Sequence, residues 1–334
     1  MDDSVKNTGT AGAAAETYTY DLAGRMTSET TGATTTPYEW DKAGNLTKKG
    51  NITGTYDSRN RLTAWGAQTF DYSARGTVQT VTEGGTSRQS KSDAFERTIT
   101  NGTSTITYDS LDRVISHNGT AFTDDGGSNN LVQNATSTYT RTPGGGMLAS
   151  ATTGTADSAR LAVTDQHTDL VAGLTPDGTG VSSSRAYDAS GKVTATTGTT
   201  PSIGYQSGWT DPSTGEVNMA SRWYQPGTGG FTSRDTWQIN SAASAGANRY
   251  TYGNASPLNG TDPTGHCPFC LVFAIPVAIN WTVVAWGAFT GVVAVGEAMS
   301  TTSGPGPKTR PCQAAPRTPA RRPFRTSDTR PTRL

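Results

Sequence analysis

Asp235, in Ser233-Arg234-Asp235, and Asp262, in Asp262-Pro263-Thr264-Gly265, have the strongest claim to chemistry in this chain. Two carboxyl groups brought together can share one proton, one acting as base toward water and the other as acid toward a leaving group. Arg249, shortly before Asp262, offers a guanidinium able to hold a carboxylate ionised or to polarise a carbonyl. The same letters are also ordinary turn chemistry, since Asp-Pro and glycine-rich strings reverse the chain. His167 stands between Asp165 and Asp169 and could be half of a catalytic pair. No serine in a strained nucleophile turn follows it, and no His/Cys/Glu set with metal spacing surrounds it, so a polar strand or loop histidine is the simpler reading. His117, in Ser-His-Asn-Gly, has a surface setting. Cys267-Pro268-Phe269-Cys270 has the spacing of a zinc or redox pair, but lacks a second pair or a thioredoxin-like frame. No metal and no cofactor is expected.

The elements that position these residues follow from composition and repetition. Threonine fills 59 of 334 positions, beside 39 Gly and 17 Pro, and only 33 % of residues are hydrophobic. A β-branched residue at that frequency, mixed with so many helix breakers, excludes a helix bundle or coiled coil. Aromatics at 8 % with regular spacing exclude simple disorder. An all-β chain rich in turns remains. Its repeat is Tyr20-Asp21-Leu22-Ala23-Gly24-Arg25-Met26-Thr27, then Trp40-Asp41-Lys42-Ala43-Gly44-Asn45-Leu46-Thr47, then Tyr56-Asp57-Ser58-Arg59-Asn60-Arg61-Leu62-Thr63. Later copies start at Tyr108 and Tyr187, and a degenerate one lies around Phe70-Asp71. In each, the aromatic ends a strand and the Asp accepts backbone amides to close an Asx-type turn. Gly, Asn or Asp then tolerates positive φ, and the apolar residue opens the return strand. One hairpin cannot bury its apolar face alone, so neighbouring hairpins must pair laterally into a continuous sheet.

That octamer resembles the YD repeat of the RHS family, and the stretch from about Val163 to Gly265 is similar to the RHS repeat-associated core. The resemblance runs through Thr164-Asp165-Gln166-His167, Tyr187-Asp188, Tyr205 to Gly215, Arg222-Trp223-Tyr224, Gly230 to Asp235, and Asn248-Arg249-Tyr250 to Asp262-Pro263-Thr264-Gly265. It implies a spiral β-sheet forming part of a hollow shell that encloses a variable C-terminal effector in a bacterial toxin system. It further implies self-cleavage just beyond the Asp-Pro-x-Gly motif, near His266, with Asp262 as the firmer catalytic position and Asp235 as its partner, beside which Arg249 could hold a carboxylate ionised or polarise the scissile carbonyl. Two departures bear on the expected efficiency: Thr236 and His266 stand where many members have Pro and Leu. Full shells in the family are considerably longer, so an open piece of wall is expected, whose partners are its own C-terminal segment or the rest of a longer shell. A different reading makes the chain a surface-anchored adhesion module, with the octamer aromatics stacking on carbohydrate; strand packing is the simpler role for a tyrosine recurring at hairpin ends. An independent hydrolase lacks a nucleophile.

The expected organisation is a disordered leader over 1–17, YD-repeat hairpins over 18–162, the core over 163–266, an apolar segment over 267–300 and a disordered basic tail over 301–334. The leader has an acidic start and no apolar stretch, so it is no signal peptide; either export takes another route or the chain begins partway through a longer protein. Leu271 to Val295 carries no charge and is long enough for a membrane-spanning helix, with packing inside the shell lumen as the alternative. The tail holds eight basic residues against Asp328 in a chain of zero net charge, so the body is acidic and no nucleic-acid face is expected on it. Secretion or display at a bacterial cell surface is expected.

Overall fold

The computed structural model describes residues 5–6, 15–155, 157–237 and 244–266. Among these the chain is built from three antiparallel sheets in which every strand pairs with its neighbours in sequence. A first sheet of 14 strands runs from Val5–Lys6 to Thr120–Ala121, a second of eight from Thr123–Asp124 to Val193–Thr197, and a third of four from Trp209–Thr210 to Gly230–Phe231. The second sheet crosses the expected boundary at 162 without a break. Part of the expected disordered leader is also strand: Ala15–Tyr20 pairs with Met26–Thr31 in the register Glu16↔Thr31, and Val5–Lys6 pairs with its outer edge. The partner strand extends through Thr31, and its backbone groups recruit Glu16 and Thr17.

One turn recurs at each octamer. In the first copy, the Asp21 amide donates to the Arg25 carbonyl and the Gly24 amide to the Asp21 carbonyl, both at 2.9 Å. Asp21 Oδ1 accepts the amides of Ala23 and Arg25, also at 2.9 Å each. The fourth residue counted from the Asp has positive φ, 78° at Gly24 and 62° at Asn60, as the octamer predicts. The register shifts immediately before each aromatic, between Thr19 and Tyr20, Glu39 and Trp40, and Thr55 and Tyr56. Such a bulge turns the ring out of simple alternation. The ring then bonds to the preceding hairpin: Trp40 Nε1 donates to the Met26 carbonyl at 2.6 Å, Tyr56 Oη to Leu46 at 3.0 Å, and Tyr108 Oη to Thr98 at 2.8 Å.

Arginines complete the link. Arg25 holds Asp21 Oδ2 through Nε at 2.8 Å and reaches the Asp41 carbonyl of the next turn at 2.8 Å. Arg97 does the same for Asp93 and the Asp109 carbonyl. The degenerate copy is displaced from its expected place. Phe70 is buried in the core, and the turn begins at Tyr72-Ser73, where Ser73 Oγ accepts the amides of Gly76 and Thr77. A serine oxygen serves because the turn needs an acceptor at that position, not specifically a carboxylate.

The apolar residue points inward in the first three octamers and in the copy at Tyr108, whereas Val193 of the copy at Tyr187 is exposed. Met26, Leu46 and Leu62 are buried together with Tyr18, Tyr38, Trp65 and Phe70, while Ile106, Val114, Leu131, Tyr139 and Met147 meet Ile203, Trp209 and Trp223 of the core region. Tyr20 and Tyr56 pack against the first cluster, so these octamer rings take part in wall packing. Tyr56→Phe is expected to lower folding stability by about 1 kcal/mol by stranding the Leu46 carbonyl, read as a shifted urea midpoint at unchanged slope.

Candidate active site

Asp235 follows the last strand of the third sheet, and Asp262 opens a turn at the end of the described chain. Both carboxylates are almost fully buried, and one guanidinium joins them. Arg222, from the strand Arg222–Gln225, lies 2.9 Å through Nη2 from Asp262 Oδ2 and 3.2 Å from Asp235 Oδ2. The two oxygens are therefore no farther apart than those distances together. Arg222 is itself 4 % exposed and its guanidinium lies 3.6 Å from the centre of the Phe231 ring. Burial pulls its pKa below the ordinary value, an effect the two carboxylates oppose.

The remaining contacts fix both acids. Asp235 Oδ1 accepts the Trp237 amide at 2.8 Å and stands 2.9 Å from His266 Nδ1. The His266 ring stacks flat on Trp237, with centroids 4.8 Å apart. Asp262 Oδ1 accepts the His266 amide at 2.9 Å. The Gly265 amide donates to the Asp262 carbonyl, and Gly265 has φ 69°. This is the octamer turn once more, with one change. At Asp21, Asp57 and Asp109 the fifth residue is an arginine that grips its own aspartate, and at Asp41 it is Asn45; here the fifth residue is His266, and the guanidinium arrives from a different strand.

Arg249, the arginine expected beside the pair, lies near Asp235 and is joined there by another. The arginine that engages both carboxylates is Arg222, while Arg249 contributes its backbone carbonyl, which accepts Arg222 Nη1 and the Asp235 amide at 3.0 Å each. Register decides this: Arg222 comes from a strand inside the third sheet and is directed under both turns. Arg249, Arg222 and Asp235 line a cavity of about 20 Å³, room for a single water. Arg222 was readable in the sequence only as part of the Arg222-Trp223-Tyr224 motif, with nothing to assign it a charge partner.

The histidines considered from sequence lie elsewhere. His117 is not at the surface; its ring meets Trp209 at 4.8 Å and its Nε2 is 3.6 Å from Asp211 Oδ2. His167 is buried, its Nδ1 3.2 Å from Asp169 Oδ1 and its Nε2 facing the Gly260 carbonyl and the Gln206 amide group. Asp165 starts this turn, accepting the amides of His167 and Asp169. Burial, with Asp169 beside it, pushes the Asp165 carboxyl up to about 7. Burial disfavours the charged imidazole of His167, but Asp169 and Asp165 outweigh it and raise its pKa.

Both shifts have one consequence for stability. A carboxyl raised in the folded state keeps a proton that the unfolded chain releases near pH 4, so its contribution is lost as pH climbs toward about 7. The raised imidazole likewise stabilises at low pH and loses that effect as pH passes through its folded value. The melting temperature is therefore expected to fall between about pH 5 and 8, and Asp165→Asn, which keeps the turn acceptor, to show the smaller fall in a thermal scan.

A third polar cluster joins wall to core. Lys49 Nζ lies 2.6 Å from Asp188 Oδ2, and Glu29 accepts the Tyr38 hydroxyl at 2.7 Å and the Ala189 amide at 3.0 Å. Burial raises the Glu29 carboxyl, and more weakly so does Asp188; the Tyr38 hydroxyl opposes the shift. The apolar run 271–295, the Cys267/Cys270 pair and the basic tail lie outside the described residues. Among the described residues no helix is long and apolar enough to cross a membrane, and no cluster of His, Cys, Asp and Glu could hold a metal ion.

Solved structures share this fold. One is the Photorhabdus luminescens Tc holotoxin pore carrying a TccC3 mutation, at TM-score 0.51 and 16 % identity over 77 % of this chain. Another is TcdB2-TccC3 without its hypervariable C-terminal region, at TM-score 0.51 and 16 % identity over 79 % of the chain. The chain spans only 15 % and 16 % of the length of those two. No curated protein matches it. A family model described as teneurin YD-shell matches residues 2–258. With that match over most of its length, and with the octamer turns, aromatic bulges and sequential sheets seen above, the chain belongs to the teneurin YD-shell family.

Proposed function

We propose that this chain is a section of a secreted YD-shell that encloses its own C-terminal segment, residues 267–334, and frees that segment by self-cleavage at the Asp235/Asp262 pair. The family gives the wall. The observation that carries the cleavage is the single buried guanidinium holding two carboxylates beside the peptide that leaves the described fold. One carboxylate takes a proton from water and the other, protonated, gives one to the leaving nitrogen; neighbouring carboxyls favour sharing a proton in this way. The cavity against Asp235 has the volume for that water. The likeness to Tc toxin structures supports the enclosing role, since one of them is described as lacking a hypervariable C-terminal region. Intact mass of the purified full chain is the test. A fragment ending close to His266 should accumulate in folded wild type and be absent from Asp262→Asn and Asp235→Asn. Folded wild type that stays whole over days at pH 5 to 8 defeats the reading.

A further inference from the structure

Three non-glycine residues with left-handed backbone gather around one buried imidazole. Thr168, Gln206 and Ser207 have φ of 67°, 51° and 53°, conformations that carry an energetic cost and cluster at switching regions. The Gln206 amide donates to Asp169 Oδ1 at 2.6 Å and the Ser207 hydroxyl to the Thr168 carbonyl at 2.8 Å, so the short turn Tyr205–Ser207 is held on the turn that Asp165 starts. Between the two turns His167 sets Nδ1 3.2 Å from Asp169 Oδ1, while its Nε2 has two neighbours of opposite kind: the Gly260 carbonyl oxygen at 3.3 Å and the Gln206 side-chain nitrogen at 2.6 Å. A ring nitrogen serves only one of them. Carrying a proton, it donates to Gly260; bare, it accepts from Gln206. The other partner of the Gly260 carbonyl, the Tyr252 hydroxyl at 3.1 Å, comes from the adjoining stretch of chain. That stretch closes on itself, since a Cβ on Gly260 would strike Gly253 and the Ser256 amide donates to the Gly253 carbonyl. Among the described residues, the histidine bond is the hydrogen bond that joins residues 253–260 to the Asp165 turn.

The geometry points to a pH-operated clasp: protonation of His167 ties residues 253–260 to the Asp165 turn, and deprotonation hands the ring to Gln206 and lets that stretch go. The groups facing the ring set the direction. Its own turn supplies Asp165 and Asp169; the turn Tyr205–Ser207 supplies Gln206 and Tyr205, whose ring centre is 5.2 Å away. The last stretch supplies Tyr252, and the strand Val181–Tyr187 supplies Tyr187, whose hydroxyl accepts Arg185 Nη1 at 3.1 Å. Burial raises all three phenols, which therefore stay neutral. Burial also disfavours the imidazolium, yet Asp169 and Asp165 outweigh it and leave the ring holding its proton above the usual range. A raised imidazole keeps its contact in acid and loses it as pH climbs through the folded value. Asp165, pushed up to about 7 by burial and by Asp169, gives up its own proton over neighbouring pH. The clasp is thus shut in mild acid and slack on the alkaline side of neutrality. It stands independently of the self-cleavage reading, because no bond is cut in either state.

The test is hydrogen exchange on the full chain at about pH 5.5 and about pH 8.5, on either side of the histidine range, corrected for the intrinsic pH dependence of exchange. The amides of Ala255, Ser256, Asn259 and Gly260 each donate within the stretch. Their protection is expected to fall about tenfold at the higher pH, the worth of one charge-assisted hydrogen bond, while amides of the first sheet keep theirs. In the same wild-type chain, ¹⁵N-histidine spectra should show His167 with both ring nitrogens protonated at the lower pH and only Nδ1 protonated at the higher. His167→Gln can still reach Gly260 but does not titrate, and should protect the stretch equally at both. A wild-type stretch whose protection is unchanged, or falls only as much as that of the first sheet, overturns the inference. So does a His167 ring already neutral at the lower pH, or a pH-dependent loss that persists undiminished in folded His167→Gln. The wild-type exchange and spectra decide by themselves, so misfolding of His167→Gln does not block the answer.

Discussion

Arg222→Ala is expected to remove about 3–5 kcal/mol of folding stability, the cost of leaving buried charges without their partner. Asp235 and Asp262 are 2 % and 0 % exposed, so water cannot replace the guanidinium. The substitution also removes the donors to the Arg249 and Gly265 carbonyls and the contact with Phe231. Chemical denaturation should show a large fall in midpoint. The triple variant with Asp235→Asn and Asp262→Asn should recover much of it, since neutral amides do not require a counter-charge. A single variant that unfolds like wild type would mean that both acids are already neutral or solvated.

Lys49→Met should act comparably at the junction of wall and core, by about 3 kcal/mol. Lys49 is the cation that reaches Asp188 and the Ser190 hydroxyl, and it also faces Tyr38. Around it lie the buried carboxyl of Glu29 and, beyond Tyr18, that of Glu16. Removing the ammonium leaves Asp188 unbalanced in a turn whose Ser190 carbonyl accepts Tyr224. Limited proteolysis should then open the Asp188–Lys192 hairpin before the first sheet. Equal protection of both regions would show that the junction is held by its apolar contacts alone.

The wall was legible because its rules are local. An acceptor at the turn start, a residue tolerant of positive φ and an inward apolar residue all lie within eight letters, and Met26, Leu46 and Leu62 took the places this predicts. Where a copy departs from those letters, the turn forms but the pattern hides it. Ser92-Asp93 lacks the aromatic, yet Asp93 accepts the amides of Phe95 and Arg97 and its turn places Glu96 at φ 68°. Thr168, at φ 67° in the Asp165 turn, is equally silent in sequence. The two carboxylates were legible through a motif series, whereas their common guanidinium was not. Arg222 is distant from both in sequence, and only pairing of the third sheet brings it beneath them. His117 eluded sequence for the same reason, its neighbours being Trp209 and Asp211.

The strict sequential pairing of the sheets bears on how the molecule is made. Each hairpin needs only the one synthesised just before it, so early strands can zip while later ones are still on the ribosome, with small loop-closure cost at every step. The distant contacts come late and together: Asn248 to the Ala43 carbonyl, Thr251 to that of Gly44, and Tyr250 to that of Gly76. Assembly is therefore expected to run along the chain from its early hairpins, with these wall-to-core contacts closing last.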